Sequence, residues 1–166
     1  MSDINKYIFA IGGGGFTHRK DKSLDNFILS IKNKEILKIG FLPTASKDNY
    51  EKTELFYERF KKTKHKLSHF ELLKKTIGFE EWVLSNDIIY VGGGNTYFML
   101  ELWKKNNLTN IFRRAYSNGI ILCGVSAGAV CWFENILSNS LHKKFTHLKG
   151  IGCLLYTSDA ADDRSC

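Results

Sequence analysis

Gly124-Val125-Ser126-Ala127-Gly128 sets a serine among small residues in the pattern G-x-S-x-G. The apolar run Ile120–Val125 precedes it, and a segment read as an apolar helix follows, with Ala129, Val130, Trp132 and Phe133. This is the context of a nucleophile elbow, in which a tight strand-to-helix turn with strained backbone dihedrals lifts the hydroxyl out of the sheet. The helix N-terminus behind it favours developing negative charge. The same five residues fit equally an ordinary Gly-rich turn whose serine caps a helix, because short Gly/Ser patterns recur by chance.

A second cluster, Gly92-Gly93-Gly94-Asn95-Thr96, ends another apolar strand, Asp87–Gly94. In an open α/β sheet ligands bind at the carboxyl ends of the strands. Neighbouring strand ends would let the N–H groups of Gly94 and Ala127 converge on one oxygen, an oxyanion hole with each donor contributing about 3 to 4 kcal/mol. The competing reading is a phosphate-binding loop, but the P-loop lysine and the G-x-G-x-x-G spacing are both missing. Gly12–Gly15 is a weaker cluster that serves at most to open the pocket floor. Cys123 and Cys131 read as small core residues rather than nucleophiles, and the four cysteines show neither CxxC nor zinc spacing, so no metal and no cofactor are expected.

The elements that must position these residues follow from periodicity. Short apolar runs at Tyr7–Ile11, Ile39–Leu42, His69–Leu73, Asp87–Gly94 and Ile120–Val125 alternate with segments of helical period, the pattern of an α/β fold with a mainly parallel sheet. Helices are expected at Ser23–Lys32, with Ser23 as cap, at Tyr50–Lys62, around Glu80–Leu84, after Asn95 or Thr96, and at Thr109–Ser117, where Asn118 and Gly119 stop the chain. A length of 166 residues with 43% hydrophobic and 25% charged residues suits one soluble domain with a buried core. The formal charge of +7 raises the question of a polyanionic partner. Its lysines are dispersed, however (Lys61, Lys62, Lys64; Lys74, Lys75; Lys104, Lys105), so they read as solvated surface and no specific nucleic acid is expected. The N-terminus has no signal-peptide pattern and no membrane span, which makes a cytoplasmic, reduced setting the default.

AIGGGG, FLPTAS, IIYVGGGNTYFML and GVSAGAVCWFE, in this order and spacing, resemble the peptidase E family of serine peptidases, which includes aspartyl dipeptidases and is related to cyanophycinases. The resemblance runs from about Lys6 to Leu155. It implies a flavodoxin-like three-layer α/β/α sandwich, related to the class I glutamine amidotransferase fold, with serine in place of that group's cysteine. It also implies Ser126 as nucleophile, Gly94 and Ala127 as oxyanion donors, and hydrolysis of short peptides without metal, in some members with a preference for an N-terminal aspartate.

The chain departs from the family pattern after Gly150–Leu155, read as a strand, where the family carries its histidine. The residues YTSDAADDRSC, Tyr156–Cys166, contain none and read as an anomalous, non-native tail to an incomplete domain spanning residues 1–155. Two upstream histidines, His142 and His147, are candidate bases but read as surface residues of a connecting segment. Asn139, in Ser138-Asn139-Ser140, stands where close relatives tend to carry an acid, and Glu134 reads as structural. Two functions follow as expectations: a serine hydrolase whose present chain has little dipeptidase activity, or a non-catalytic small-molecule-binding domain on the same fold.

Overall fold

Apolar runs of four or five residues such as Ile88–Val91 and Ile121–Val125 are too short and too uniformly apolar to make amphipathic helices, and here they pair as strands. The computed structural model describes residues 4–13, 16, 22–142 and 144–157. Strands β1 (Ile8–Ile11), β2 (Lys38–Leu42), β3 (Lys66–His69), β4 (Ile88–Val91) and β5 (Ile121–Val125) form one parallel sheet in the order β1-β5-β4-β2-β3. Every residue of β4 and β5 is buried, as both faces of such a sheet demand. The segment β3-β2-β4-β5 repeats the first four places of the flavodoxin-like order, and β1 fills the fifth from the amino-terminal side.

Alternation along the strands splits the core in two. Ile88, Tyr90, Ile121 and Cys123 pack with Ile28 of α1 (Ser23–Ser30) and with Phe56 and Phe60 of α2 (Tyr50–Phe60). Ile89, Val91 and Leu122 face the opposite layer, with Val83 of α3 (Phe79–Leu84), Met99 and Trp103 of α4 (Thr96–Lys105) and Phe112 of α5 (Thr109–Ser117). The result is the expected three-layer α/β/α sandwich. On the first face Arg59 Nε lies 2.6 Å from Asp25 Oδ2, and Tyr90 donates its hydroxyl to Asp25 Oδ1 at 3.2 Å, so a buried ion pair ties both helices to the central strand.

Four local expectations are corrected. The third strand spans Lys66–His69, not His69–Leu73: Asp48 Oδ2 accepts the Leu73 N–H at 2.8 Å and the Glu71 carbonyl accepts from Lys74 and Lys75, which turns the chain and puts both lysines in a bend. Lys22, not Ser23, occupies the cap position of α1. The helix after the elbow, α6, is only Ala127–Val130, because the carbonyls of Cys131, Trp132 and Glu134 accept from Ile151, Leu154 and Gly150 instead of continuing helical bonds. Phe133 therefore begins a strand.

That strand, β6 (Phe133–Ser138), pairs antiparallel with β7 (Thr146–Lys149) and parallel with β8 (Leu154–Thr157) in a separate three-stranded sheet. The fourth correction lies here: Gly150–Leu155 is not one strand, since Gly152 takes φ +71° between β7 and β8. Of the tail, residues 156 and 157 continue β8, while 158–166 lie outside the described residues, as do Gly14 and Gly15. Among the described residues no helix is long and apolar enough to cross a membrane.

Candidate active site

Register brings three strand ends to one edge: Ile11 of β1 stands opposite Val125 of β5, and Val91 of β4 opposite Gly124. Ser126 follows directly, with φ 54° and ψ −115°, a conformation that costs a non-glycine residue about 1 to 3 kcal/mol. The surroundings hold it there. Its N–H donates to Ile11 O at 2.9 Å and its carbonyl accepts from Ala129 N at 2.8 Å and Val130 N at 3.1 Å. Ser126 is exposed between the buried Val125 and Ala127, and its side chain makes no capping bond to α6, unlike a serine that merely starts a helix.

The two glycines of G-x-S-x-G are required by backbone contact. A Cβ on Gly124 would sit 1.8 Å from Gly128 O, and one on Gly128 would sit 2.1 Å from Val91 O. With no side chain between them, the elbow packs straight onto the end of β4. Because α6 is a single turn, little macrodipole stands behind Ser126, and any anion there depends on individual N–H groups.

Gly93 lies against the serine, since a Cβ there would be 3.2 Å from Ser126 Cβ and 3.8 Å from Oγ. Gly94, at φ +152°, backs onto the 3₁₀ turn Thr44–Ser46, where its Cβ would fall 2.1 Å from Ala45 O. Among the described residues neither the Gly94 N–H nor the Ala127 N–H donates to a backbone carbonyl. Both residues border a cleft of about 290 Å³ together with Ser126, Thr96 and Asn139. Val130, Phe133, Leu137 and Phe145 give it an apolar wall, and Gly12 reaches it from the end of β1.

The candidate acid and bases separate here. Asn139 lines the cleft, whereas His142 is exposed outside it and His147, on β7, has Nε2 3.0 Å from Asn135 Oδ1. Among the described residues lining the cleft there is no histidine. Glu134 does not line the cleft, and its carboxylate lies 3.9 Å from Lys149 Nζ. Cys123 and Cys131 are fully buried, and burial pushes both thiols well above their ordinary range, so neither offers a thiolate. Partial burial likewise pushes the Cys153 thiol up to about 11.

Local reasoning overlooked Ser138, Ser140, Leu137 and Phe145. In Ser138-Asn139-Ser140 the second serine meets the start of α4 across more than forty residues of sequence: the Tyr97 N–H donates to Ser140 Oγ at 2.9 Å and Asn95 Nδ2 donates to Ser140 O at 2.9 Å. No local pattern announces such a contact. Asn95 itself was visible as a cap, and its Oδ1 accepts the Phe98 N–H at 2.8 Å.

A three-layer α/β/α sandwich with an exposed positive-φ serine at an elbow, beside glycine N–H groups on the carboxyl edge, defines the general class. The chain belongs to peptidase family S51, whose match covers residues 8–155. It is 43% identical over 151 residues to the uncharacterized peptidase YgaJ of Bacillus subtilis, covering 90% of this chain and 65% of that protein. It is 35% identical over 103 residues to the uncharacterized peptidase Lin0382 of Listeria innocua, covering 59% of this chain and 48% of that one. The chain thus spans about two thirds of one relative and about half of the other. Among solved structures, a Listeria monocytogenes protein described provisionally as a peptidase E superposes with a TM-score of 0.66 at 18% identity, covering 89% of this chain and 74% of that one. A peptidase from an acI-B1 Actinobacterium gives 0.68 at 17%, covering 90% and 66%. At these identities the two structures speak to the fold.

Proposed function

We propose that this protein is a serine-type peptidase of short peptides that works through an acyl-enzyme at Ser126. The observation that carries the reading is the exposed Ser126 hydroxyl on a positive-φ elbow, in one cleft with Gly94 and Ala127. In this scheme Oγ attacks the scissile carbonyl carbon and gives its proton to a base. The oxyanion rests on the Gly94 and Ala127 N–H groups, the amine leaves with a proton, and water then releases the acyl group. The apolar wall and the uncharged described residues lining the cleft favour a neutral, apolar side chain over aspartate at the acyl position. Free cysteines at 123, 131 and 153 support a reducing, cytoplasmic setting, and the dispersed, exposed lysines support at most weak, nonspecific contact with nucleic acid.

The proton needs a destination. Neither His142 nor His147 lines the cleft, and loss of a triad member costs about four to six orders of magnitude in serine proteases. We therefore infer that the 166-residue chain turns over dipeptides very slowly, although its elbow can still react with a strong acylating or phosphonylating agent. The same observation favours a second reading, a cleft that binds small molecules without chemistry.

A fluorophosphonate probe separates the two. Stoichiometric labelling at Ser126, abolished in Ser126→Ala, is expected for the peptidase reading, with Leu-Ala and Asp-Ala dipeptides hydrolysed at or near background. Absence of labelling in the folded wild-type chain would leave only the binding reading.

A further inference from the structure

The close contact with Ala45 limits where Gly94 can sit, and what its neighbour grips sets how its N–H is aimed. Asn95 grips three separate pieces. Its N–H donates to Ala45 O at 2.7 Å, its Oδ1 accepts the Phe98 N–H at 2.8 Å, and its Nδ2 donates to Ser140 O at 2.9 Å. Ser140 answers from the other side by accepting the Tyr97 N–H at Oγ, 2.9 Å. Ser138 braces it, donating Oγ–H to Ser140 Oγ at 2.9 Å and accepting the Ser140 N–H at 3.2 Å.

Helix capping accounts for only part of this. An N-cap needs one acceptor oxygen, which Ser, Thr or Asp would supply as well. The Nδ2 bond to Ser140 contributes nothing to the cap, and only an asparagine at this position combines a capping oxygen with that donor. The segment so tied carries Asn139, whose neighbours on both sides are the bonded serines and which lines the same cleft as Gly94. One end of the tie is therefore the residue after a proposed oxyanion donor, and the other end is the residue after Asn139 in the lining of the cleft.

We propose that Asn95 and Ser140 form a latch that fixes the Gly94 N–H and the Asn139 loop relative to Ser126, making both of them positioning residues for acyl transfer; this rests on the reading of Ser126 given above. Breaking either bond should open the latch while leaving the fold and the α4 cap in place, with a single loss of about tenfold in the rate at which Ser126 is phosphonylated.

Asn95→Asp is the sharpest test, because it keeps the capping oxygen and the backbone bond to Ala45 but turns the Nδ2 donor into an ionised oxygen facing a carbonyl. The full chain would be compared with Asn95→Asp, Ser140→Ala, Ser140→Thr and the double variant Asn95→Asp/Ser140→Ala. The readouts are the second-order rate of fluorophosphonate labelling at Ser126, hydrogen exchange at the Tyr97 and Ser140 amides, and Tm. Expected are similar Tm values, faster exchange at both amides, about tenfold slower labelling in each single loss, no further loss in the double, and recovery in Ser140→Thr. Relative to wild type, Asn95→Asp should also recover as the pH falls through its own carboxyl, since the protonated acid can donate to Ser140 O again. Should Ser140→Ala not fold, that pH recovery carries the test by itself. Wild-type labelling rates in the folded single variants, or losses that simply multiply in the double, would overturn the latch while leaving Ser126 as nucleophile. No labelling in the wild type would instead remove the Ser126 reading and the positioning role with it.

Discussion

β4 and β5 are buried at every residue, while β6 and β7 alternate between covered and exposed positions, and the cleft lies where these two regions meet. On the large-sheet side Gly124, Gly128 and Gly94 touch neighbouring backbone directly, so the position of Ser126 is enforced by excluded volume. On the small-sheet side Asn139 is placed by side-chain hydrogen bonds through Ser138 and Ser140. One half of the site is thus set by sterics and tolerates no change. The other half is set by polar contacts of about 1 kcal/mol each and can be adjusted.

The contrast breaks most directly at Gly124. A valine there places Cβ 1.8 Å from Gly128 O, and we expect a loss of more than about 4 kcal/mol, read as no cooperative unfolding transition at 25 °C. Gly152→Ala on the small sheet, where the nearest atom to a Cβ is 3.6 Å away, should cost only the positive-φ penalty of about 1 to 2 kcal/mol. Comparable losses for the two would end the distinction. Next in size is Arg59→Met. It removes the guanidinium that lies 2.6 Å from Asp25, which is 1% exposed, and should cost about 3 kcal/mol in urea unfolding, because a buried carboxylate loses its Arg59 counter-charge.

Ser126→Gly should go the other way. Glycine adopts φ 54° and ψ −115° without strain, so thermal unfolding should show a gain of about 1 kcal/mol, while labelling at this position is lost. A loss of stability would mean that the elbow holds no strain.

The smallest expected effects compare the two ends of the large sheet by pH. At the amino-terminal end, burial alone would raise the Asp87 carboxyl. The Lys34 ammonium at 2.8 Å and the Lys38 N–H at 2.8 Å outweigh it and hold the group below its ordinary value. A folded value below the unfolded one means that this stabilisation is complete above the unfolded value and disappears as pH falls through the folded value. Asp87→Asn should therefore flatten the acid limb of stability by about 0.5 kcal/mol. Beside the site, burial raises the Asp48 carboxyl and the Leu73 N–H offsets this only in part. Its contribution is present at low pH and lost as pH rises through the folded value, so Asp48→Asn should stabilise the protein at neutral pH. Urea titrations at several pH values would show opposite slopes for the two variants.

The same division explains what local sequence could reveal. Ile88–Val91 is a continuous apolar run ended by Gly92 and Ile121–Val125 is apolar apart from Gly124, and strands of that kind carry their own signal, together with the two turns rich in small residues that follow them. β6 carried no such signal. Its first residues look helical after Ser126, and only the arrival of Gly150, Ile151 and Leu154 N–H groups at the carbonyls of 131–134 decides otherwise. Ser140 was missed for the same reason, since its partners Asn95 and Tyr97 are remote in sequence. Contacts between distant segments leave no mark on the periodicity of either one.

The close approach of Gly94 to Ala45 also bears on how such a site can change by mutation. In a saturation library no side chain survives at residue 94 while the 44–46 turn stays in place, because its first carbon would lie 2.1 Å from a carbonyl oxygen. Glycine at residue 94, whose N–H is the proposed oxyanion donor, is therefore a fixed point of the local sequence space. The residues open to variation are those whose side chains border the cleft without supporting the backbone, above all Leu137, Asn139 and Phe145. On the proposed reading, a lineage built on this frame can explore new acyl groups through that wall while the glycine at 94 is inherited unchanged.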